Sequence, residues 1–213
     1  MVEIKLNNIG KRYNHEWIFR NVNETLTSNE AYVFMGGNGS GKSTLLQLVG
    51  SNFMCSEGTI DYSIADKKIE TEQIFKHVSY ATPYLELTED FTINEILEFH
   101  IQFKPLLTGI NLQNFIDITE FNKVQNKPIK YFSSGMKQRL KLGLAVLSNS
   151  EIVLLDEPVS NLDKKAIDWY NQLVLNYKNN RLFIVCSNQV KDEYNFCTKE
   201  LFIENYKPQT EKL

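Results

Sequence analysis

Gly36-Gly37-Asn38-Gly39-Ser40-Gly41-Lys42-Ser43 fits the pattern G-x-x-x-x-G-K-[ST], and the chemistry of that pattern is to hold phosphate. The glycines allow backbone angles that a Cβ would forbid, so successive N–H groups can turn inward and cradle phosphate oxygens. Lys42 then reaches the β- and γ-phosphates, and the Ser43 hydroxyl ligates Mg²⁺. The apolar run Tyr32-Val33-Phe34-Met35 precedes the loop, and Thr44-Leu45-Leu46-Gln47-Leu48-Val49 continues it as a helix. A helix starting near Lys42 adds the positive end of its dipole to the same spot. A Gly/Ser-rich turn without a ligand is the bland alternative. The flanking strand and helix patterns favour a nucleoside triphosphate.

A second constellation lies 120 residues downstream, where Leu154-Leu155-Asp156-Glu157-Pro158 places two carboxylates just past an apolar run. In open α/β sheets ligands gather outside that end of the strands. Asp156 can hold Mg²⁺ directly or through water, while Glu157 can orient an attacking water and accept its proton. Alone, the pair reads as surface acids after a strand. Beside a phosphate loop it reads as catalytic.

Between the two lies Tyr131-Phe132-Ser133-Ser134-Gly135-Met136-Lys137-Gln138-Arg139-Leu140, and here the chain resembles the ATP-binding cassette family. The family's Leu-Ser-Gly-Gly-Gln signature stands as Phe132-Ser133-Ser134-Gly135-Met136, at the start of a helix whose N-terminus is an anion site. The order of phosphate loop, signature, Asp156-Glu157 and Ser160-Asn161-Leu162-Asp163 carries the resemblance over essentially the whole chain.

That resemblance implies an α/β fold: a P-loop NTPase core of the cassette type with an N-terminal antiparallel β subdomain and an inserted helical subdomain. It implies a single domain over residues 1–213, with the core in 1–84 and 146–213 and the helical insertion in 85–145. ATP and Mg²⁺ are the implied ligands. Two cassettes, here two copies of this chain, face head to tail, so that Ser133, Ser134 and Gly135 of one complete the nucleotide site of the other. Asp163 belongs to the loop that communicates between the two sites. Tyr13 matches the aromatic that stacks on adenine, a contact that favours a purine without selecting which one; a tyrosine that is merely packed or partly exposed is the alternative.

Two family positions are filled unusually. A Gln that touches Mg²⁺ and the attacking water is expected near Tyr80-Ala81-Thr82-Pro83-Tyr84, where Pro83 or Tyr84 occupies the slot. The switch histidine is expected near Val185-Cys186-Ser187-Asn188-Gln189, where Asn188 stands. An amide can donate a hydrogen bond to a γ-phosphate oxygen but carries no positive charge and shuttles no proton. Loss of one donor at a developing phosphoryl charge costs roughly 3 kcal/mol, about a hundredfold in rate. Hydrolysis is therefore expected to be slow, with Glu157 as the base.

The elements that must position these groups follow from periodicity. Val2 to Leu6, Trp17 to Leu26, Gly58 to Tyr62 and His77 to Tyr80 read as strands, and Ile152-Val153-Leu154-Leu155 and Leu182-Phe183-Ile184-Val185 as buried strands of a parallel sheet. From about Leu85 to Leu147 the spacing is helical, with Ile93, Ile96, Leu97 and Ile101 on one face and Asp90 or Thr92 capping ahead of Glu95. The helix Lys137 to Leu147 presents Leu140, Leu144 and Leu147 to the core. Three in four of Phe91, Phe99, Phe103, Phe115 and Phe121 are expected inside, the remainder free to seat a helix of a membrane partner.

Composition excludes several other classes. With 42% hydrophobic and 23% charged residues the chain is of ordinary globular make-up, and a net charge of −3 gives no electrostatic basis for nucleic-acid binding. Lys11 and Arg12 read as solvated charge. No apolar stretch approaches the ~20 residues of a membrane span, and Met1 to Leu6 is no signal-peptide core, so a cytoplasmic chain reaching the inner membrane face only through a partner is expected. The chain, ending at Leu213, is expected to carry no further regulatory domain. Cys55, Cys186 and Cys197 lack C-x-x-C spacing and read as reduced packing residues, and three scattered histidines give no metal cluster. The favoured reading is the ATPase subunit of a membrane transporter, paired with an integral membrane subunit and a second cassette. A nucleotide-gated regulatory module with little hydrolysis is the alternative, and a soluble family member acting on ribosomes or DNA fits least.

Overall fold

The computed structural model describes residues 1–208 of the 213-residue chain. Its strands divide between two sheets. The antiparallel sheet, ordered β2-β1-β4-β5, is built from β1 (Val2–Tyr13), β2 (Glu16–Thr27), β4 (Glu57–Ile64) and β5 (Lys67–Ile69). The all-parallel sheet, ordered β6-β7-β8-β3-β9, is built from β3 (Ala31–Met35), β6 (Val78–Ala81), β7 (Ile152–Asp156), β8 (Leu182–Ser187) and β9 (Lys199–Phe202).

The apolar runs are continuous because both faces of the parallel sheet are covered. Successive side chains point to opposite faces, and the packing follows that alternation. Val33, Met35, Val153, Leu155, Phe183 and Val185 pack into the helical side. Tyr32, Phe34, Ile152, Leu154, Ile184 and Cys186 pack with the antiparallel sheet and with α1 (Lys42–Val49).

The first two strands run longer than expected, twelve residues each. Asn8 and Asn21 adopt positive φ, and the register shifts between Leu6 and Ile9, so irregularities in the pairing let polar asparagines sit within these strands.

The helices between β6 and β7 are α2 (Ile93–Phe103), α3 (Leu112–Ile118) and α4 (Ser134–Leu147); α5 (Lys164–Tyr177) and α6 (Lys191–Tyr194) follow. Thr92, not Asp90, caps α2 and closes a reciprocal capping box with Glu95. Ile93, Ile96 and Leu97 are buried as expected, but the last turn runs past the core. Phe99, Ile101 and Phe103 there remain 53%, 44% and 73% exposed. Phe115 and Phe121 are buried and Phe91 is half-buried, so fewer phenylalanines lie inside than the spacing suggests. α4 starts three residues earlier than expected, because the Ser133 hydroxyl accepts the Met136 N–H and supplies the N-cap. Its Leu140, Leu144 and Leu147 are buried. The cysteines are free, and no cluster of three metal-ligating side chains exists among the described residues.

Candidate nucleotide site

β3, buried along its whole length, delivers the chain to the loop Gly36–Gly41, and α1 begins at Lys42. Gly36, Gly39 and Gly41 take φ of 152°, 74° and 106°. Gly41 also lies where a Cβ would stand 2.6 Å from Ile18 Cγ2, so both dihedral and space demand glycine there. Lys42 is buried and folded back over the loop. Its Nζ donates to Gly36 O at 2.9 Å, Gly37 O at 3.1 Å and Asn188 Oδ1 at 2.6 Å. Gly37, Asn38 and Gly39 are exposed at the loop's crest, and Ser43 and Thr44 sit half-buried at the start of α1.

β7 and β8 end beside this loop. Asp156, the last residue of β7, is 2% exposed, and burial raises its carboxyl above the usual range, opposed by a hydrogen bond from Ser43. Its Oδ1 is buried and unpartnered. An orphaned carboxylate oxygen next to a serine hydroxyl is the hard-oxygen set that suits Mg²⁺, so the residues present fit that ion. Glu157 follows with φ of 47°, its N–H bonded to Cys186 O at 3.1 Å. Asn188, one residue past β8, donates from Nδ2 to Glu157 Oε1 at 2.7 Å. One amide therefore links the phosphate-loop lysine to the second carboxylate, by accepting from one and donating to the other.

Two carboxylates near this site carry no motif. Glu204, in a 3₁₀ turn after β9, accepts the Gly37 N–H at 2.7 Å from 167 residues away. Glu193, on the single turn α6, is 3% exposed, and burial together with Glu157 and Asp156 pushes it up to about 7, while a Ser187 hydrogen bond pulls the other way. Nothing in the local sequence around either residue signals these positions.

The signature lies elsewhere. Ser133 and Ser134 are exposed at the N-terminus of α4, and a Cβ on Gly135 would stand 2.9 Å from Asn161 O. Ser133, Ser134, Gly135, Asn161 and Asp163 line a cleft of about 430 Å³ that contains no phosphate-loop residue. Gln138, buried on the same helix, donates to Pro158 O at 2.9 Å and fastens the signature helix to the segment behind Glu157.

Tyr13 ends β1 and is 48% exposed, with Lys11 Nζ 5.1 Å from its ring centroid. Lys11 also donates to Met54 O at 2.9 Å, so it is engaged where the sequence suggests a purely solvated charge. The cavity that opens beside Gly39 is lined by His15, Trp17 and Ile18 instead of Tyr13. Trp17 is already flanked by the guanidinium of Arg20, 4.3 Å from its centroid. Pro83 and Tyr84, either of which the sequence reading puts in the slot of the expected Gln, are exposed, and Asn188 lies against Lys42 and Glu157.

Fold and site together define a nucleotide-binding cassette of the P-loop class. A family model described as ABC transporter matches residues 19–160, and the chain belongs to that family as an ATP-binding subunit. It is 26% identical over 200 residues to the lantibiotic transport ATP-binding protein SrtF of Streptococcus pyogenes, covering 89% of this chain and 81% of SrtF. It is 30% identical over 182 residues to the cytochrome c biogenesis ATP-binding export protein CcmA of Reclinomonas americana, covering 82% and 79%. Against YcbN of Bacillus subtilis, an ABC transporter ATP-binding protein 29% identical over 171 residues, it covers 80% of this chain and spans only 55% of the relative. Among solved structures, the ATP-binding cassette MJ0796, a dimer bound to ADP and Pi, superposes with a TM-score of 0.80 at 22% identity, covering 97% of this chain and 96% of that one.

Proposed function

We propose that this chain binds and hydrolyses ATP and, by dimerising head to tail on it, drives a separate membrane subunit. The observation that carries this reading is the Lys42–Asn188–Glu157 chain of hydrogen bonds across the phosphate loop. Ser43 and Asp156 would hold Mg²⁺, which when bound offsets charge on the β- and γ-phosphates. Lys42 exchanges the carbonyls of Gly36 and Gly37 for phosphate oxygens. Water attacks the γ-phosphorus, its proton goes to Glu157, and ADP leaves. Asn188 holds the Glu157 carboxylate in place but can neither carry charge nor relay a proton, so turnover is slow.

The separation of the signature cleft from the phosphate loop supports a composite site, with Ser133, Ser134 and Gly135 supplied by a second copy. Tyr13, half exposed with Lys11 over its ring, is the residue assigned to stack on adenine. We take 85–145 as the inserted helical part, although α4 runs on to Leu147, and 1–84 with 146–208 as the core; 209–213 lie outside the described residues. The exposed Phe99 and Phe103, whose ring centroids lie 5.1 Å apart, give a membrane subunit an apolar face to dock on, at the cytoplasmic side, and Tyr84 is exposed as well. No helix among the described residues is long and apolar enough to cross a membrane.

Phosphate release from the purified chain tests the reading. Wild type turns over well below the order of ten per second typical of enzymes, and Glu157→Gln stops it. A wild-type rate of that typical order, or a Glu157→Gln rate equal to wild type, contradicts it.

A further inference from the structure

The loop after β6 offers no side-chain amide to the nucleotide, and Pro83 and Tyr84 point their exposure to solvent, Tyr84 at 86%. Its backbone, by contrast, is gripped. Lys141 Nζ donates to Pro83 O at 2.9 Å and to Thr82 O at 3.3 Å. Lys141 is 9% exposed and makes no ion pair among the described residues. Burying an ammonium without a directly paired carboxylate is costly: burial lowers its proton affinity here, helped by the nearby charge of Lys137 and opposed by that of Glu86. An apolar side chain of the same length would fill the space at less cost. What the ammonium supplies instead is donors to the two carbonyls.

The ends of this tether matter. Lys141 sits on α4, two turns after the signature, and α4 begins against Asn161 through the close approach at Gly135. Its other end is the loop directly after β6, whose Ala81 pairs with Leu155, the neighbour of Asp156. We propose that Lys141 is a positioning residue that locks the Thr82–Tyr84 backbone to the signature helix, so that a second cassette seated on Ser133–Gly135 is felt at this loop and, through β6 and β7, at the carboxylates. This rests on the ATPase reading above and assigns the coupling to a backbone tether where a glutamine side chain is missing.

The test uses the full chain with Lys141→Met and Lys141→Arg. In phosphate release, Lys141→Met lowers kcat about tenfold while KM for ATP stays within twofold, and Lys141→Arg, which keeps donors for both carbonyls, recovers at least half. In parallel, amide exchange across residues 82–87 is followed in the Glu157→Gln chain as ATP drives dimerisation. Exchange slows there with Lys141 present and no longer responds in Glu157→Gln with Lys141→Met, although the dimer forms. If Lys141→Met does not fold, Lys141→Leu, which likewise has no donor, replaces it with the same two expectations. An unchanged kcat, a loss that Lys141→Arg does not restore, or a loop response that persists without Lys141 overturns the proposal. A wild type without turnover defeats the ATPase reading alone, and the exchange experiment then decides Lys141.

Discussion

Asn188 donates to Glu157 at 2.7 Å while accepting from Lys42 at 2.6 Å, so the residue standing where a switch histidine is expected bridges the lysine of the phosphate-loop motif and the carboxylate proposed as the base. The bridge makes Asn188 a holder of Glu157 and Lys42 that lacks a titratable ring.

Asn188→His therefore raises phosphate release, by up to about the hundredfold that one lost donor costs. It also adds an imidazole titration between about pH 6 and 7.5 to the kcat profile, absent from the profile of Asn188→Gln. Asn188→Ala lowers kcat at least tenfold with ATP affinity within threefold. Steady-state rates across pH 5.5–8.5 check both.

Gly135→Ala places a Cβ 2.9 Å from Asn161 O, a backbone atom that cannot swing aside. The signature or the Asn161 loop must shift. Hydrolysis falls at least tenfold while binding of a fluorescent ATP analogue to the same chain stays within twofold, because the phosphate loop is in a different cleft.

Lys42→Ala removes a buried ammonium that three oxygens share, and Gly41→Ala drives a Cβ into Ile18. Each weakens ATP binding at least thirtyfold, by about 2 kcal/mol or more. Asp156→Asn keeps the fold, since the orphaned Oδ1 loses no partner, and abolishes the Mg²⁺ dependence of ATP affinity. Equilibrium titrations with and without Mg²⁺ measure all three.

Acid stability has a separate source. His100 donates from Nε2 to Ser148 Oγ at 2.8 Å, since that hydroxyl donates onward to Leu144 O, and burial followed by the charge of Lys104 lowers the imidazole to about 4. The folded chain resists protonation that the unfolded chain accepts at about 6.5. Stability is thus present above pH 6.5 and lost as pH falls towards 4, by about 3 kcal/mol at 1.36 kcal/mol per unit. His100→Gln keeps a donor and flattens this part of the curve. The gap in Tm between wild type and His100→Gln should shift in favour of the variant from pH 7 to pH 4.5.

What the sequence made legible is local in the chain. The phosphate loop and the Asp156-Glu157 pair each sit within a few residues of the strand that presents them, and apolar runs covered on both faces mark those strands unambiguously. Thr92 and Glu95 announce the start of α2 for the same reason. Glu204 on Gly37, Lys141 on Pro83 and Glu193 beneath Glu157 are legible only once the chain is folded, because each joins segments tens of residues or more apart. The exposed Phe99 and Phe103 mislead for a related reason: helical spacing gives the face of a side chain but not where the core ends.

The central claim is that this chain holds half of a nucleotide site. It is tested most directly by the solution mass of the Glu157→Gln chain, 24.7 kDa as a monomer, measured by light scattering with and without Mg²⁺ and ATP. The mass should double with ATP, remain single with ADP, and remain single when Gly135→Ala or Lys42→Ala is added. A Glu157→Gln chain that binds ATP yet stays at the monomer mass, at concentrations up to about 100 μM, contradicts the account.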